Sequence, residues 1–111
     1  MSSVQSPVSD MLVTVKSREV QRATLAAMGG QSTDARKHFL AAAHLELVLA
    51  AGDYEQAGDA ELARRSRISA ASCFWRAGEA NDAQAIFDEL SQSDPSRASE
   101  IQEVVDDLKT A

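Results

Sequence analysis

Arg64, Arg65 and Arg67 are the residues of this 111-residue chain whose type and spacing come nearest to doing chemistry. A guanidinium offers a planar fork of N–H donors that grips both oxygens of a carboxylate. On a helix, Glu61 and Arg65 form a favourable pair four residues apart, which leaves Arg65 in solvent. Arg64 and Arg67 then point inward. They could pair with acids of the C-terminal segment, such as Glu103 or Asp107, or line a groove and clamp the carboxylates of a bound peptide. Contact with nucleic acid is the weakest reading. Such binding rests on neutralising phosphates, and the net charge here is −6.

The other reactive residue types are sparse. His38 and His44 are the only histidines. Six residues apart on a helix, they point about 120° away from each other and cannot share a metal. Asp34 and His38 share a face, but two ligands make no site. His44, set among apolar neighbours, is expected in the core, bonded to backbone or to a carboxylate. It is kept beside Arg64 and Arg67 as a candidate partner-binding residue. Cys73 is the only cysteine; next to Phe74 and Trp75 it reads as a small buried hydrophobe rather than a nucleophile. Ser66, Ser69 and Ser72 recur every three residues, which suits close helix contact, and no base is paired with them. Gly29-Gly30-Gln31-Ser32 lacks the glycine–lysine spacing of a phosphate loop and reads as a turn. No catalytic, metal or cofactor site is expected.

The elements that must position these residues are helices. Hydrophobic content is 44%, much of it alanine, which favours helices and lets them approach closely. No Asn-Gly hairpin signal or long alternating β-branched run is present, so the expected class is all-α. One domain is expected over residues 1–111, with residues 1–6 a loose tail and Ser6-Pro7 opening the first helix. That helix runs to about Met28, its stripe being Val8, Leu12, Val15, Val20, Ala23 and Ala27. Ser32-Thr33-Asp34 caps a second helix from about Asp34 to Ala51, ended by Gly52. Residues 54–77 read as one long helix, with two shorter ones the alternative. A fourth helix, about Glu79 to Gln92, carries Ala80, Ala83, Phe87 and Leu90 on one face. Asp94-Pro95 caps a fifth, acidic and outermost, with the stripe Ala98, Ile101, Val105 and Leu108.

Charge is divided unevenly. Residues 77–111 hold two basic and nine acidic side chains, a balance of −7, whereas residues 1–76 balance at +1. A lone cysteine excludes an internal disulfide and suits a reducing compartment, so a cytoplasmic location is expected. No apolar run approaches the ~20 residues of a membrane span.

Gly78-Glu79-Ala80-Asn81-Asp82-Ala83 and the earlier Gly52-Asp53-Tyr54-Glu55-Gln56-Ala57 look like one device used twice: a glycine break, then a helix whose alanine allows close docking. Together with Ala70-Ala71, Phe74, Phe87 and Pro95, residues 67–95 resemble one tetratricopeptide repeat. Arg67 stands where that pattern has tryptophan, and Ala70 where it has leucine. The two glycines are 26 residues apart against a family period of 34. The resemblance implies stacked antiparallel hairpins, a fold that holds protein or peptide partners. Three functions are therefore in play. The first is a non-catalytic adaptor for a segment of another protein. The second is a self-associating bundle, a homodimer through Met11 and Leu25 of the first helix. The third, an enzyme, would need a pocket uniting His44, Glu46 and a second acid.

Overall fold

The computed structural model describes residues 7–111; the expected tail and the Ser6 cap lie outside them. Five α-helices follow one another: α1 (Pro7–Met28), α2 (Ser32–Val48), α3 (Ala60–Arg76), α4 (Ala80–Ser93) and α5 (Ala98–Thr110). A π-helical stretch, Leu49–Tyr54, extends α2, and a 3-10 turn, Pro95–Arg97, leads into α5. No strand occurs among the described residues, and the fold is all-α.

Three glycines make the hairpins. Gly30, Gly58 and Gly78 have φ of +75°, +78° and +85°, a region in which a Cβ is strained. After each, the next N–H reaches back to close the helix: Gln31 to the Ala26 carbonyl (2.8 Å), Asp59 to Tyr54 (2.9 Å) and Glu79 to Phe74 (2.8 Å). That same residue is the N-cap of the following helix. Only Asp59 caps with its side chain, its Oδ1 accepting from the Leu62 N–H at 3.0 Å. Ser32-Thr33-Asp34 therefore does not cap α2; those residues are already inside it.

Gly52 does not end a helix. It sits within the π-helical stretch at an ordinary negative φ. Two anchors carry the chain through: Ser9 Oγ of α1 donates to Asp53 Oδ2, and Tyr54 is buried. The five-residue step from Leu49 to Tyr54 keeps both on the buried side, against Leu12 and Val13 of α1 and Ala63 of α3. The expected helix over 54–77 consequently begins only at Ala60. The repeated phrase is really Gly58-Asp59-Ala60-Glu61-Leu62-Ala63, in register with the one at Gly78, and Ala63 and Ala83 are both buried.

α1 is turned relative to its expected stripe. Val8, Val15 and Ala27 are exposed, while Ser9, Ala23 and Ala26 are buried and Leu12, Val13, Lys16, Glu19 and Val20 half-buried. Its inward face includes two charges because each has a partner waiting. Lys16 Nζ lies 3.5 Å from Glu46 Oε2, and Glu19 Oε2 lies 2.8 Å from His38 Nδ1. Glu46 itself is 6% exposed and also accepts from Ser66 Oγ at 2.7 Å, tying α1, α2 and α3 together. In α4, Ala83, Phe87 and Leu90 are buried as expected, but Ala80 is exposed.

The α1–α2 and α3–α4 hairpins share one packing register. Ala23, Ala26, Ala35 and Phe39 of the first correspond to Ala71, Phe74, Ala83 and Phe87 of the second, and all eight are buried. Every pair is offset by 48 residues. Phe87, 1% exposed, is the largest of the fully buried side chains. Its burial contributes roughly 1.5–3 kcal/mol. α5 lays Ile101, Val105 and Leu108 onto the same core.

Each helix packs on its chain neighbour, and α5 also reaches α3; α1 has no Cα within 8 Å of α3, nor α2 of α4. The result is a slab of 46 × 34 × 16 Å. Its thinnest dimension matches two helix layers at the usual 8–10 Å spacing. The radius of gyration, 14.3 Å, exceeds the ~13 Å of an equally long globule for the same reason.

Candidate partner-binding groove

Because α2 and α4 stand apart above α3, a groove runs between them with α3 as its floor. One end is a hollow of about 480 Å³ lined by Ala63, Arg64 and Arg67 of α3, with Leu90 and Ser93 of α4 and Glu55 at its rim. The other is a hollow of about 530 Å³ lined by Leu40, His44 and Leu47 of α2, Phe74 of α3, and Ala85 and Ile86 of α4. A third hollow shares Glu55, Arg67, Leu90 and Ser93 with the first, and Leu47 and Ile86 with the second. It joins them into one channel. From Arg64 to Phe74 along the floor is ten residues, or about 15 Å of helix. That length suits some five extended residues or three helical turns.

All three residues singled out from the sequence, Arg64, Arg67 and His44, lie on this groove. Their partners are not the expected ones. Arg67 Nη2 pairs with Glu55 Oε2 at 2.7 Å, and the nearest acid to Arg64 is Glu100, 4.0 Å from Nη1; Glu103 and Asp107 engage neither. Glu61 is drawn away from Arg65 by Arg97, whose Nη1 and Nη2 donate to its two oxygens at 2.6 and 3.1 Å. Arg97 Nε also donates to Glu100 at 2.8 Å, so this arginine clamps α3 to α5. Hydrogen bonding to Arg97 holds the Glu61 and Glu100 carboxyls below the ordinary 4.5 and raises the guanidinium itself.

Arg64 is the unusual member. Its side chain is only 13% exposed, and its Nε and Nη2 are buried without a hydrogen-bond acceptor among the described residues. Nε and Nη2 form the edge of a guanidinium that meets both oxygens of a carboxylate side-on. His44, by contrast, is not in the core; it is exposed, its ring edge-on to Phe74 at 5.2 Å between centroids. It is two positions from Glu46 on α2, and the helix turns them to different sides, so the pair does not meet in a pocket.

No protein family matches this chain, and neither does any curated protein or solved structure.

The remaining reactive groups sit away from the groove. Burial pushes the Cys73 thiol up, so it is held as the neutral S–H. Among the described residues no cluster of three or more His, Cys, Asp or Glu could hold a metal ion, and no helix is long and apolar enough to cross a membrane. The sequence reading missed the acidic rim, Glu55 at one end and Glu79 with Asp82 at the other. Glu79 and Asp82 could have been placed from their position in the first turn of α4. The pairing of Glu55 with Arg67 could not, since it depends on where the π-helical stretch ends.

Proposed function

We propose that this chain is a small, non-catalytic, tetratricopeptide-like adaptor that holds a segment of another protein in the α2–α4 groove. The observation carrying this reading is that one continuous channel joins Arg64, Arg67 and His44, with Leu47, Ile86 and Leu90 beside Glu89 in its middle and Phe74 at the His44 end. The channel is electrically polar. Two guanidinium groups stand at one end, one of them paired with Glu55, and Glu79 and Asp82 stand at the other. A fitting segment has an acidic residue, two or three apolar ones, then a basic one, and that order fixes its direction. Rotation of Arg64 about its side-chain torsions brings its unpaired edge to the groove, where a carboxylate relieves the penalty of a buried donor. Arg67 exchanges Glu55 for the partner.

The family assignment is supported by the shared register of the two hairpins. The alanine and aromatic four apart recur as Ala35/Phe39 and Ala83/Phe87, each preceded by small Ala23 or Ala71 twelve residues earlier. The 48-residue offset exceeds the family's 34, and the π-helical stretch with its turn lies in the lengthened segment between the hairpins. A single cysteine, with no second to pair with, accords with a cytoplasmic location.

Selection of 12-residue peptides from a random library tests the reading. Binders should carry the acidic–apolar–basic order and lose about tenfold or more in affinity for Arg64→Ala/Arg67→Ala, as expected when hydrogen bonds to charge are removed. Binding undiminished by the double variant would remove the arginines from the site.

A further inference from the structure

The outer face of α1 differs from every other exposed surface among the described residues. Among the described residues, all the large exposed apolar side chains except Val48 lie on it: Val8, Met11 (66% exposed), Val15, Leu25 (68%) and Met28. Between Val15 and Leu25 stand Arg18 and Arg22, also exposed. The steps 8, 11, 15, 18, 22 and 25 alternate three and four residues, which is the seam of a coiled coil. A hollow of about 290 Å³ opens on this seam. It is formed by Met11, Thr14, Val15 and Arg18, with Asp10 at its edge. Residues i, i+3, i+4 and i+7 are the four that make a hole for the knob of a facing helix. The shape calls for a helix.

Charge decides whose helix. In a parallel pair of identical chains every seam residue faces its own copy, placing Arg18 on Arg18 and Arg22 on Arg22. In the antiparallel register that keeps seam on seam, Val8 meets Leu25, Met11 meets Arg22 and Val15 meets Arg18, so four guanidinium groups are covered with no seam carboxylate opposite. Like charges across a seam, or charges buried there without a partner, are destabilising, and they are a means by which helices reject a partner. Arg22 has only a loose contact with Glu19, 3.7 Å, and Glu19 is already held by His38. Both guanidinium groups are thus available to outside carboxylates. The opposite edge of the slab, α5, exposes Glu100, Glu103, Asp106 and Asp107 and no large apolar side chain, so it offers no comparable seam.

We propose that the outer face of α1 docks an amphipathic helix of a different protein, with apolar residues along its seam and acidic residues at the two central seam positions. This surface is separate from the α2–α4 groove, and neither proposal depends on the other.

The probe is a pair of blocked, fluorescein-labelled 24-residue helical peptides with leucine at the seam positions. One carries glutamate and the other arginine at the two central ones. Titrated with the full chain at low peptide concentration, the glutamate peptide should bind roughly tenfold or more tightly than the arginine peptide. Arg18→Glu/Arg22→Glu should reverse the order, Met11→Asp should abolish both, and Arg64→Ala should change neither. Circular dichroism establishes that each variant is folded; Arg18→Glu alone serves if the double variant is not. The chain alone should sediment as a monomer. Equal affinity for the two peptides, binding of neither, or a dimer cross-linked through Val15→Cys to the same position of a second copy, which lies close in either orientation, would overturn the proposal.

Discussion

A guanidinium with two buried and unpaired donors, as in Arg64, is a liability for stability that a carboxylate from outside would relieve. Glu46 shows the contrast. It is buried to a similar degree but surrounded, with Lys16 and Ser66 on its two oxygens. Its charge is part of the packing, and the charge of Arg64 is not. Replacing Arg64 by an apolar residue of similar length removes the unpaired donors while keeping the methylene packing. Arg64→Met is therefore expected to leave stability unchanged or raise it by about 1 kcal/mol, while weakening peptide binding. Urea unfolding measures the first and the selected peptides the second. A loss above about 1 kcal/mol would instead mark Arg64 as a structural link to Glu100 of α5.

Two glycines close together in sequence have opposite meanings in the hairpin between α2 and α3. Gly52 lies in continuous π-helical backbone, and a Cβ there would meet nothing within 4 Å. Gly58 has equal space but a φ of +78°. Conformation, not crowding, separates them. Gly52→Ala should stabilise by about 0.5–1 kcal/mol, because alanine favours helical backbone and restricts the unfolded chain. Gly58→Ala should destabilise by about 1–2 kcal/mol, the penalty of a side chain in left-handed backbone. Thermal unfolding of the two single variants reads both signs. The reverse ranking would move the turn back to Gly52.

At the scale of the whole molecule, the slab is closed at its α5 edge by the Glu61–Arg97–Glu100 clamp. Both carboxyls titrate below 4.5 because Arg97 bonds to their charged forms. The folded state thus keeps those charges to lower pH than the unfolded state does. Their contribution is complete above the unfolded value and disappears as pH falls through the depressed folded values. Between about pH 5 and pH 3, the wild type should lose more stability than Arg97→Ala, in which both carboxyls titrate near their unfolded values. Melting temperatures of the two chains across that interval test this, and parallel acid limbs would show that the clamp adds nothing in solution.

Local physics determined much of this protein from the sequence alone. Helical class, the stops at Gly30 and Gly78, the buried face of α4 and the burial of Phe74 and Phe87 follow from propensity and from spacing within a turn or two. Those terms act between near neighbours and are legible without coordinates. Contacts between distant residues were decided only by the tertiary structure. Asp53 is held by Ser9, 44 positions away, and that contact helps carry the chain past Gly52 to turn at Gly58. Arg97 takes Glu61 from 36 positions away, so Arg65 loses its expected partner. Lys16 turns inward because Glu46 is there to meet it, rotating α1 and leaving Val8 and Val15 outside. The groove belongs to the same class. Arg64, Arg67 and His44 could be picked out by type, but only the separation of α2 from α4 places them along one channel.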